Sequence, residues 1–439
     1  MAADAGNDLD EEIWFLISSF KICFRLLVED RIISDEYKLW KKNVPFMYDY
    51  LINRIFEYPT PVVQWFDSIE QIDDDDQDGS IVQKLLVATN PGPFEDDYYL
   101  AVHSVILPDL MKKFEPKKID LYSMREDAFG AFVFYTDQTE ADFKVVHNGM
   151  VTCARCMPEK NAIVATKNSN DLFIWDLKDC IKNSKQADST EPISQFLNLN
   201  NQSDLDWNPQ SPRLLLSGFE SNQLAIWDIS SQKKRKTMIP KTTMSFNSEF
   251  DTNQSETNEI LSTEWHRHHT DIVGASTSNG SLLLWDIRSP ALNQPSHRFR
   301  GHKGSAKQIK FSPFSEFVFI SSGIDGQICV WDLRNLKIKL HSILFKKESF
   351  QSIKWSPHCE TLFGAITQSD RKVYLFDLDR ILDEQMVHEV EDGPPTLIFI
   401  HGGHTSKVLD FDWNPNKNNP LVVCSVSDDN VYQIWQMVV

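Results

Sequence analysis

The stretch from Gly301 to Arg334, GHKGSAKQIKFSPFSEFVFISSGIDGQICVWDLR, decides the fold of this chain. A Gly-His pair opens it, and a Trp-Asp pair stands close to its end. The last of its β-rich runs follows the tight-turn signal Asp325-Gly326. Three such runs are present, at Gln308–Phe311, Phe317–Ser322 and Ile328–Trp331. Their spacing predicts consecutive antiparallel strands joined by short turns.

This order of residues is the WD-repeat pattern, in which each repeat forms one four-stranded blade of a β-propeller. The pattern also predicts a hydrogen-bonded chain that ties the turn to the strands. Its members here would be His302, Asp325, a hydroxyl from Ser321 or Ser322, and the Trp331 indole. Because their role is structural, these residues indicate a blade and not a ligand site.

The closing dipeptide recurs along the chain, each time after an alternating apolar run. Six closing positions are visible, at Trp175-Asp176, Trp227-Asp228, Trp285-Asp286, Trp331-Asp332, Phe376-Asp377 and Trp435-Gln436. Strand-like runs between Val62 and Val146 add one blade without the dipeptide. We therefore predict an all-β protein, a seven-bladed WD-repeat β-propeller over residues 58–439. Almost nothing follows Trp435, so we expect a strand near Val62–Phe66 to complete the last blade and close the ring.

The residues ahead of the propeller have a helical pattern. Residues 1–29 form an extension whose apolar run, Ile13–Val28, carries Lys21 and Arg25. That run is shorter than the ~20 residues that a membrane span needs, so we expect no membrane association. Ser34 is a plausible N-cap, and residues 30–57 predict a long α-helix, interrupted at Pro45, that packs on the side of the propeller.

The charge of the chain limits its partners. The formal net charge is −19, whereas a phosphate-binding surface would need an excess of Lys and Arg. We expect no direct nucleic-acid binding, and we expect basic partners, whose approach an acidic field accelerates. The basic run Lys233–Lys236 is either a nuclear-import patch or a solvated charge run.

Motifs that carry chemistry are missing from the sequence. It contains no phosphate loop, zinc-protease helix or nucleophile elbow. Cys153 and Cys156 form a lone CxxC on a predicted strand, where positions three apart face opposite sides. The cluster His266, His268 and His269 falls at a predicted turn, with no Cys or acidic ligand at suitable spacing. We predict a non-enzyme without catalytic residues, metal or cofactor.

Two segments carry a resemblance that goes beyond the fold. They are DEYKLWKKNVPFMYDYLINRIFEYPTPVVQWF, which starts at Asp35, and EDGPPTLIFIHGGHTSKVLDFDWNPNKNNPLVVCSVSDDNVYQIWQM, which ends at Met437. Both closely resemble the nuclear histone-binding WD-repeat family, the retinoblastoma-binding proteins. The resemblance runs from about Asp30 to Met437 and is weaker between Asp67 and Leu261.

That resemblance implies a groove between the N-terminal helix and an acidic Gly-Pro-Pro loop, residues 383–398, inserted in the sixth blade. The groove would receive an amphipathic helix of the fourth core histone. Its apolar floor would be Phe46, Met47, Tyr50, Leu51, Phe399 and Ile400. Its acidic lip would be Glu389, Glu391 and Asp392, beside Gly393, Pro394 and Pro395. The alternative is that the apolar residues only dock the protein's own helix.

The family has a second site, an acidic ring on the top face that holds the basic tail of the third core histone. Glu57 and Asp428 are acidic here, as the family pattern requires. Other positions at the mouth would be Met150, Asn201, Ser203, Leu261, Lys307 and Ser349. Because neutral groups and a lysine remove the attraction for a basic tail, we predict weak or absent tail binding there.

The resemblance implies a non-catalytic, nuclear subunit of chromatin assembly or modifying complexes. Its partners would be core histones and the other subunits of such complexes. One alternative is a substrate receptor of a cullin-RING ubiquitin ligase, because Trp285–Arg288 and Trp331–Arg334 resemble the docking motif of such receptors. Another is a chromatin scaffold that has lost histone binding.

Overall fold

The computed structural model describes most of the chain between residues 28 and 438. The described ranges are 28–71, 80–91, 98–108, 128–129, 132–138, 141–158, 160–178, 192–196, 202–219, 222–229, 240–246, 258–345, 348–386 and 393–438. Several predicted features lie outside them: most of the apolar run before residue 28, the basic run at 233–236, Asn201, Glu389, Glu391 and Asp392. Within these ranges, no helix is long and apolar enough to cross a membrane.

Seven sheets form the blades of the propeller, which confirms the predicted fold. Blade 1 contains β2 (Val62–Gln71), β3 (Ser80–Ala88), β4 (Tyr98–Pro108) and β7 (Phe143–His147). Blade 2 contains β8 (Cys153–Met157), β9 (Lys160–Lys167), β10 (Leu172–Asp176) and β11 (Ser194–Phe196). Blade 3 contains β12 (Gln202–Trp207), β13 (Leu214–Phe219), β14 (Gln223–Asp228) and β15 (Thr242–Ser245). Blade 4 contains β16 (Ile260–Trp265), β17 (Ile272–Thr277), β18 (Ser281–Asp286) and β19 (His297–Arg300).

The second half of the ring is built in the same way. Blade 5 contains β20 (Ala306–Phe311), β21 (Val318–Gly323), β22 (Gln327–Asp332) and β23 (His341–Leu344). Blade 6 contains β24 (Phe350–Trp355), β25 (Leu362–Thr367), β26 (Val373–Asp377) and β27 (Leu397–His401), with a 3-10 helix at Leu378–Leu382. Blade 7 contains β28 (Val408–Trp413), β29 (Val423–Ser427), β30 (Val431–Met437) and β1 (Tyr48–Ile55), and its sheet continues through β6 (Phe132–Gln138) and β5 (Ala128–Phe129). The innermost strands contact one another in sequence order, and β28 returns to β2.

The ring closes differently from the prediction. The helix expected over residues 30–57 ends at residue 47, and Tyr48–Ile55 is the strand β1. Strand β1 pairs antiparallel with β30, from Tyr48 opposite Met437 to Ile55 opposite Val431. The last blade would otherwise leave a row of unpaired backbone groups, and satisfying them outweighs the helical pattern of these residues.

The strand expected to close the ring, near Val62–Phe66, has another place. It belongs to β2, the innermost strand of blade 1, which lies beside β28 of blade 7. Side chains of β28 hold this seam: Asp410 accepts a hydrogen bond from the Val63 amide at 3.2 Å, and Asp412 accepts one from the Trp65 amide at 2.9 Å. The prediction failed because β1 already fills the outer edge of blade 7.

The structural hydrogen-bonded chain of the WD pattern is present in blade 5. His302 Nδ1 lies 3.0 Å from Asp325 Oδ1, and its Nε2 lies 2.8 Å from Ser321 Oγ. The Trp331 indole donates to the same hydroxyl at 2.9 Å, so Ser321 is the member and Ser322 is not. Burial alone would raise the pKa of Asp325, but hydrogen bonds from His302 and from the Lys303 amide lower it to about 2. These residues are scaffold, as the sequence indicated.

The helix α1 (residues 28–47) packs along the side of the ring where blades 6 and 7 meet. Its Trp40 and Val44 are buried in one apolar cluster with β25 and β26 of blade 6 and β28, β29 and β30 of blade 7. Burying a side chain of this size contributes about 1.5–3 kcal/mol. The predicted position of the helix on the side of the propeller is therefore confirmed.

Candidate functional site

The inward face of α1 is fixed to the propeller by a buried polar relay. The Trp40 indole donates a hydrogen bond to the Tyr48 hydroxyl at 2.9 Å, and that hydroxyl lies 2.8 Å from His401 Nδ1. Burial, and then the charge of neighbouring His404, lower the pKa of His401 well below its ordinary value. The ring is therefore neutral near pH 7, and its unprotonated Nδ1 accepts the Tyr48 proton.

Two further contacts hold α1 in place. The Arg371 guanidinium on blade 6 pairs with the Glu36 carboxylate at 2.9 Å. Gly403 leaves room for the Trp40 ring, since a Cβ at this glycine would lie 2.5 Å from Trp40 Cζ2. This inward face is complete, and it leaves no room there for a ligand.

The outward face of α1 carries a second apolar stripe that the sequence analysis missed. Ile32, Leu39 and Phe46 follow one another at intervals of seven residues and are 51%, 62% and 80% exposed. Seven residues are close to two helical turns, so the three side chains share one face of the helix. The seven-residue spacing was the available signal, and the inward residues Tyr37, Trp40 and Val44 masked it.

The structure divides the predicted apolar floor into exposed and buried residues. Phe46 projects outward, and Met47 is half-buried against the cluster beneath α1. Tyr50 and Leu51 lie on β1 and are buried on its opposite sides, Tyr50 towards blade 1 and Leu51 towards blade 6. These two residues belong to the core and do not line an open surface.

The segment expected to face the helix also divides. Phe399 on β27 packs edge-on against Tyr48, with the ring centroids 5.3 Å apart, and stacks on Trp435 at 5.7 Å. Its neighbour Ile400 packs towards the cluster between blades 5 and 6. Both are half-buried, so they support the surface from below.

The Gly-Pro-Pro part of the inserted loop is ordered by a left-handed glycine. Gly393 has φ +138°, a conformation that side chains disfavour, and the Gln385 amide donates to its carbonyl at 3.0 Å. Pro394 and Pro395 are half-buried, and the loop ends where β27 begins at Leu397. The lip residues Glu389, Glu391 and Asp392 lie outside the described residues. Leu382 and Met386, just ahead of them, are largely exposed.

On the top face the three predicted residues do not form one acidic site. Asn430, in the turn that also contains Asp428, donates its side-chain amide to the Glu57 carbonyl at 3.5 Å. The Glu57 carboxylate pairs with the Lys144 ammonium, and Lys307 lies on β20, two blades away around the ring. A lysine therefore already occupies the carboxylate that the family pattern retains.

The other predicted positions of the mouth add no charge. Met150 is exposed on the turn between β7 and β8. Leu261 and Ser349 are half-buried, and the Ser349 hydroxyl donates to the Gln368 side chain at 3.0 Å. The side chain of Ser203 is outside the described part. Neutral side chains of this kind would not attract a basic peptide.

The central channel contains a cavity of about 360 Å³ lined by buried charges. They are arranged in close pairs: Lys354 with Asp410 at 3.0 Å, Lys310 with Glu264 at 3.5 Å, and Arg155 with Asp204 at 3.9 Å. Burial raises the pKa of Asp206 to about 6, against the opposing effect of Arg267. The charges of the channel neutralise one another, so this cavity is part of the scaffold.

The residues considered for metal binding are separated in the structure. Cys153 and Cys156 are free thiols buried in different apolar clusters on opposite sides of β8. His266 accepts the amides of His268 and His269 on its Nδ1, at 3.0 and 3.1 Å. Over the described ranges, no three His, Cys, Asp or Glu side chains come together as metal ligands.

The two arginines of the ligase-like motif fold back on their own repeats. Arg288 donates to Asp286 through Nε at 2.9 Å and Nη2 at 2.6 Å. Arg334 pairs in the same way with Asp332, at 3.0 and 2.6 Å. Both side chains are exposed, yet each has an intramolecular partner, so the geometry does not favour a docking role over a local one.

Comparison with known families agrees with this geometry. The fold and its repeats define the class, a WD-repeat β-propeller, and a family model described as WD domain, G-beta repeat matches residues 293–332 and 395–436. A second model, whose description is that of the histone-binding protein RBBP4 of the CAF1 complex, matches residues 35–109. The chain thus matches a histone-binding WD-repeat family, and the resemblance seen in the sequence is confirmed. The second match covers α1, β1 and blade 1 as far as β4.

Proposed function

We propose that this chain is a non-catalytic histone-binding subunit that receives a helix of the fourth core histone on the outward face of α1. The observation that carries the proposal is the exposed stripe of Ile32, Leu39 and Phe46 on a helix whose opposite face is fully engaged. A stripe at helical spacing on a fixed helix fits a second amphipathic helix laid against it. The segment from Gly393 to Ile400 would form the other wall.

The charge of the chain suits this partner. Histone helices present Arg and Lys, and this chain has a formal net charge of −19. The carboxylates Glu389, Glu391 and Asp392 fall in the loop next to the proposed wall. Apolar anchors would supply the binding energy, while the acidic field would speed association and fix the orientation of the histone helix.

The matched family supports a chaperone type of function, from which a nuclear location and membership of a chromatin assembly or modifying complex follow as parts of the proposal. Other subunits of such a complex would be additional partners. A substrate receptor of a cullin-RING ligase remains the alternative. Its test is co-purification with the ligase adaptor that is lost when Arg288 and Arg334 are both changed to Ala.

Fluorescence anisotropy with a labelled helical peptide from the fourth core histone tests the proposal. We expect the full chain to bind and Phe46→Asp to reduce affinity by about a hundredfold, since a central anchor is worth roughly 2–4 kcal/mol. Phe46 is the better target than Phe399, because Phe399→Asp would also disrupt the packing on Tyr48 and Trp435. Leu344→Asp, which alters an exposed apolar residue on blade 5, is the matched control and should bind normally.

Failure of the unaltered chain to bind the peptide would leave the scaffold alternative. Equal losses in Phe46→Asp and Leu344→Asp would show that the effect is not local to α1. Either result would contradict the proposal.

A further inference from the structure

A second surface of the molecule has the opposite charge to the whole chain. It is a cleft of about 450 Å³ between the outer strand of blade 4, β19, and the turn that leads into β23 of blade 5. Four of the side chains that line it are Arg298, Arg300, Lys337 and Lys339. Neither Asp nor Glu is among the lining residues in the described part of the chain. Such a cleft is unexpected in a chain with a net charge of −19.

The cations of the cleft are not neutralised as those of the channel are. Arg300 donates only to the backbone carbonyls of His302 and Lys303, both at 3.4 Å. The Lys339 ammonium lies 3.4 Å from the side-chain oxygen of Gln327 and 5.6 Å from the centre of the Trp331 ring. Within the described ranges, no carboxylate comes within 4.0 Å of Arg300, Lys337 or Lys339. The three positive charges are therefore available to an anionic ligand.

Apolar groups lie beside these charges. Phe299 packs on the Trp331 ring at 4.9 Å, and both belong to the lining. Ile338, between the two lysines in the chain, is 68% exposed, and Leu340 is also exposed. The surface thus combines a cationic cleft with apolar side chains that water does not favour.

We propose that this cleft binds an acidic peptide segment with interspersed apolar side chains, supplied by a protein partner other than a histone. Its carboxylates would pair with Arg300, Lys337 and Lys339, and its apolar side chains would cover Ile338 and Leu340. Because a histone helix is basic, the two surfaces would select different partners and could be occupied together. The proposal does not depend on the histone groove.

The edge of blade 4 offers a way to hold such a segment. Strand β19 is the last strand of its sheet and pairs with β18 alone among the described strands. Its outer backbone groups can therefore pair with an extended peptide, as in strand addition to an exposed edge. Main-chain hydrogen bonds would then give affinity, and the cations next to the edge would select acidic side chains.

A peptide fits these observations better than a nucleic acid. The acidic chain repels a long polyanion over the ~8 Å that screening allows at physiological ionic strength, whereas a short acidic segment fits within the basic cleft itself. The exposed Ile338 and Leu340 also have no counterpart in a sugar-phosphate backbone. A peptide with both features satisfies the whole surface.

Anisotropy with defined probes and the full chain tests this inference. The probes are a fluorescein-labelled peptide in which Glu and Leu alternate, the same peptide with Lys in place of Glu, and an oligothymidine. We expect only the Glu-Leu peptide to bind, with an affinity that falls as salt is added. Lys337→Glu combined with Lys339→Glu should weaken it by about tenfold or more, because attraction becomes repulsion.

Lys178→Glu combined with Lys417→Glu is the matched control, since it changes two exposed lysines of blades 2 and 7 and alters net charge equally. We expect this control to stay within about twofold of the unaltered chain. The single variant Lys337→Glu guards against misfolding because its side chain is exposed, and it should show an intermediate loss.

Three results would overturn the inference. The Glu-Leu peptide could fail to bind, the two double variants could weaken it equally, or the oligothymidine could bind and lose affinity in the cleft variant. The last result would assign the cleft to nucleic acid.

Discussion

The two faces of α1 carry apolar residues at similar helical spacing, yet one face is closed and the other is open. Trp40 and Val44 are buried against blades 6 and 7, whereas Leu39 and Phe46 on the opposite side remain exposed. The difference lies in the surroundings of each face and not in its composition. One face contributes to folding, and its rigid attachment presents the other face for binding.

Exchanging equivalent changes between the two faces should separate these roles most sharply. Trp40→Ala should lower the free energy of unfolding by about 3–5 kcal/mol, because it empties a buried site and removes the donor to Tyr48. Leu39→Ala, one residue away and on the exposed face, should change it by less than ~0.5 kcal/mol. Urea unfolding followed by circular dichroism measures both, and similar losses would contradict the assignment of the two faces.

A smaller effect is expected from the glycine beneath Trp40. Gly403→Ala should cost about 1–3 kcal/mol, since the new Cβ would lie 2.5 Å from Trp40 Cζ2 and would also press on the Gln433 side chain. Gly402→Ala is the matched control, because its Cβ would lie 3.8 Å from Trp40 Cδ1, an ordinary contact. The same unfolding measurement should leave Gly402→Ala near the unaltered chain. Equal tolerance of both substitutions would show that Trp40 is less tightly held than its packing indicates.

The sequence predicted well those parts of the molecule in which the deciding residues are close together in the chain. His302, Ser321, Asp325 and Trp331 lie within one repeat, and their spacing alone predicted the bonds that the structure contains. The residues 48–55 were misassigned because the partner of β1 is β30, at the other end of the chain. Local periodicity favoured a helix, and only the unfilled edge of blade 7 decides for a strand.

The candidate site followed the same rule. Phe46 and Met47 were predicted from a local block of sequence and lie at the surface, whereas Tyr50 and Leu51 were placed with them only because the helix was extended too far. The neutralisation of Glu57 could not be read from the sequence. Its partner Lys144 stands on β7, a strand that reaches Glu57 only after blade 1 has folded.

The central claim, that a histone helix binds at the side and not at the top, can be tested directly by photo-crosslinking. Benzoylphenylalanine would replace Phe46 on the exposed face of α1 in one protein, and Met150 on the top rim in another. Each protein would be irradiated with the helical peptide of the fourth core histone. We predict a covalent adduct from position 46 and none above background from position 150. An adduct from position 150 alone would contradict the account.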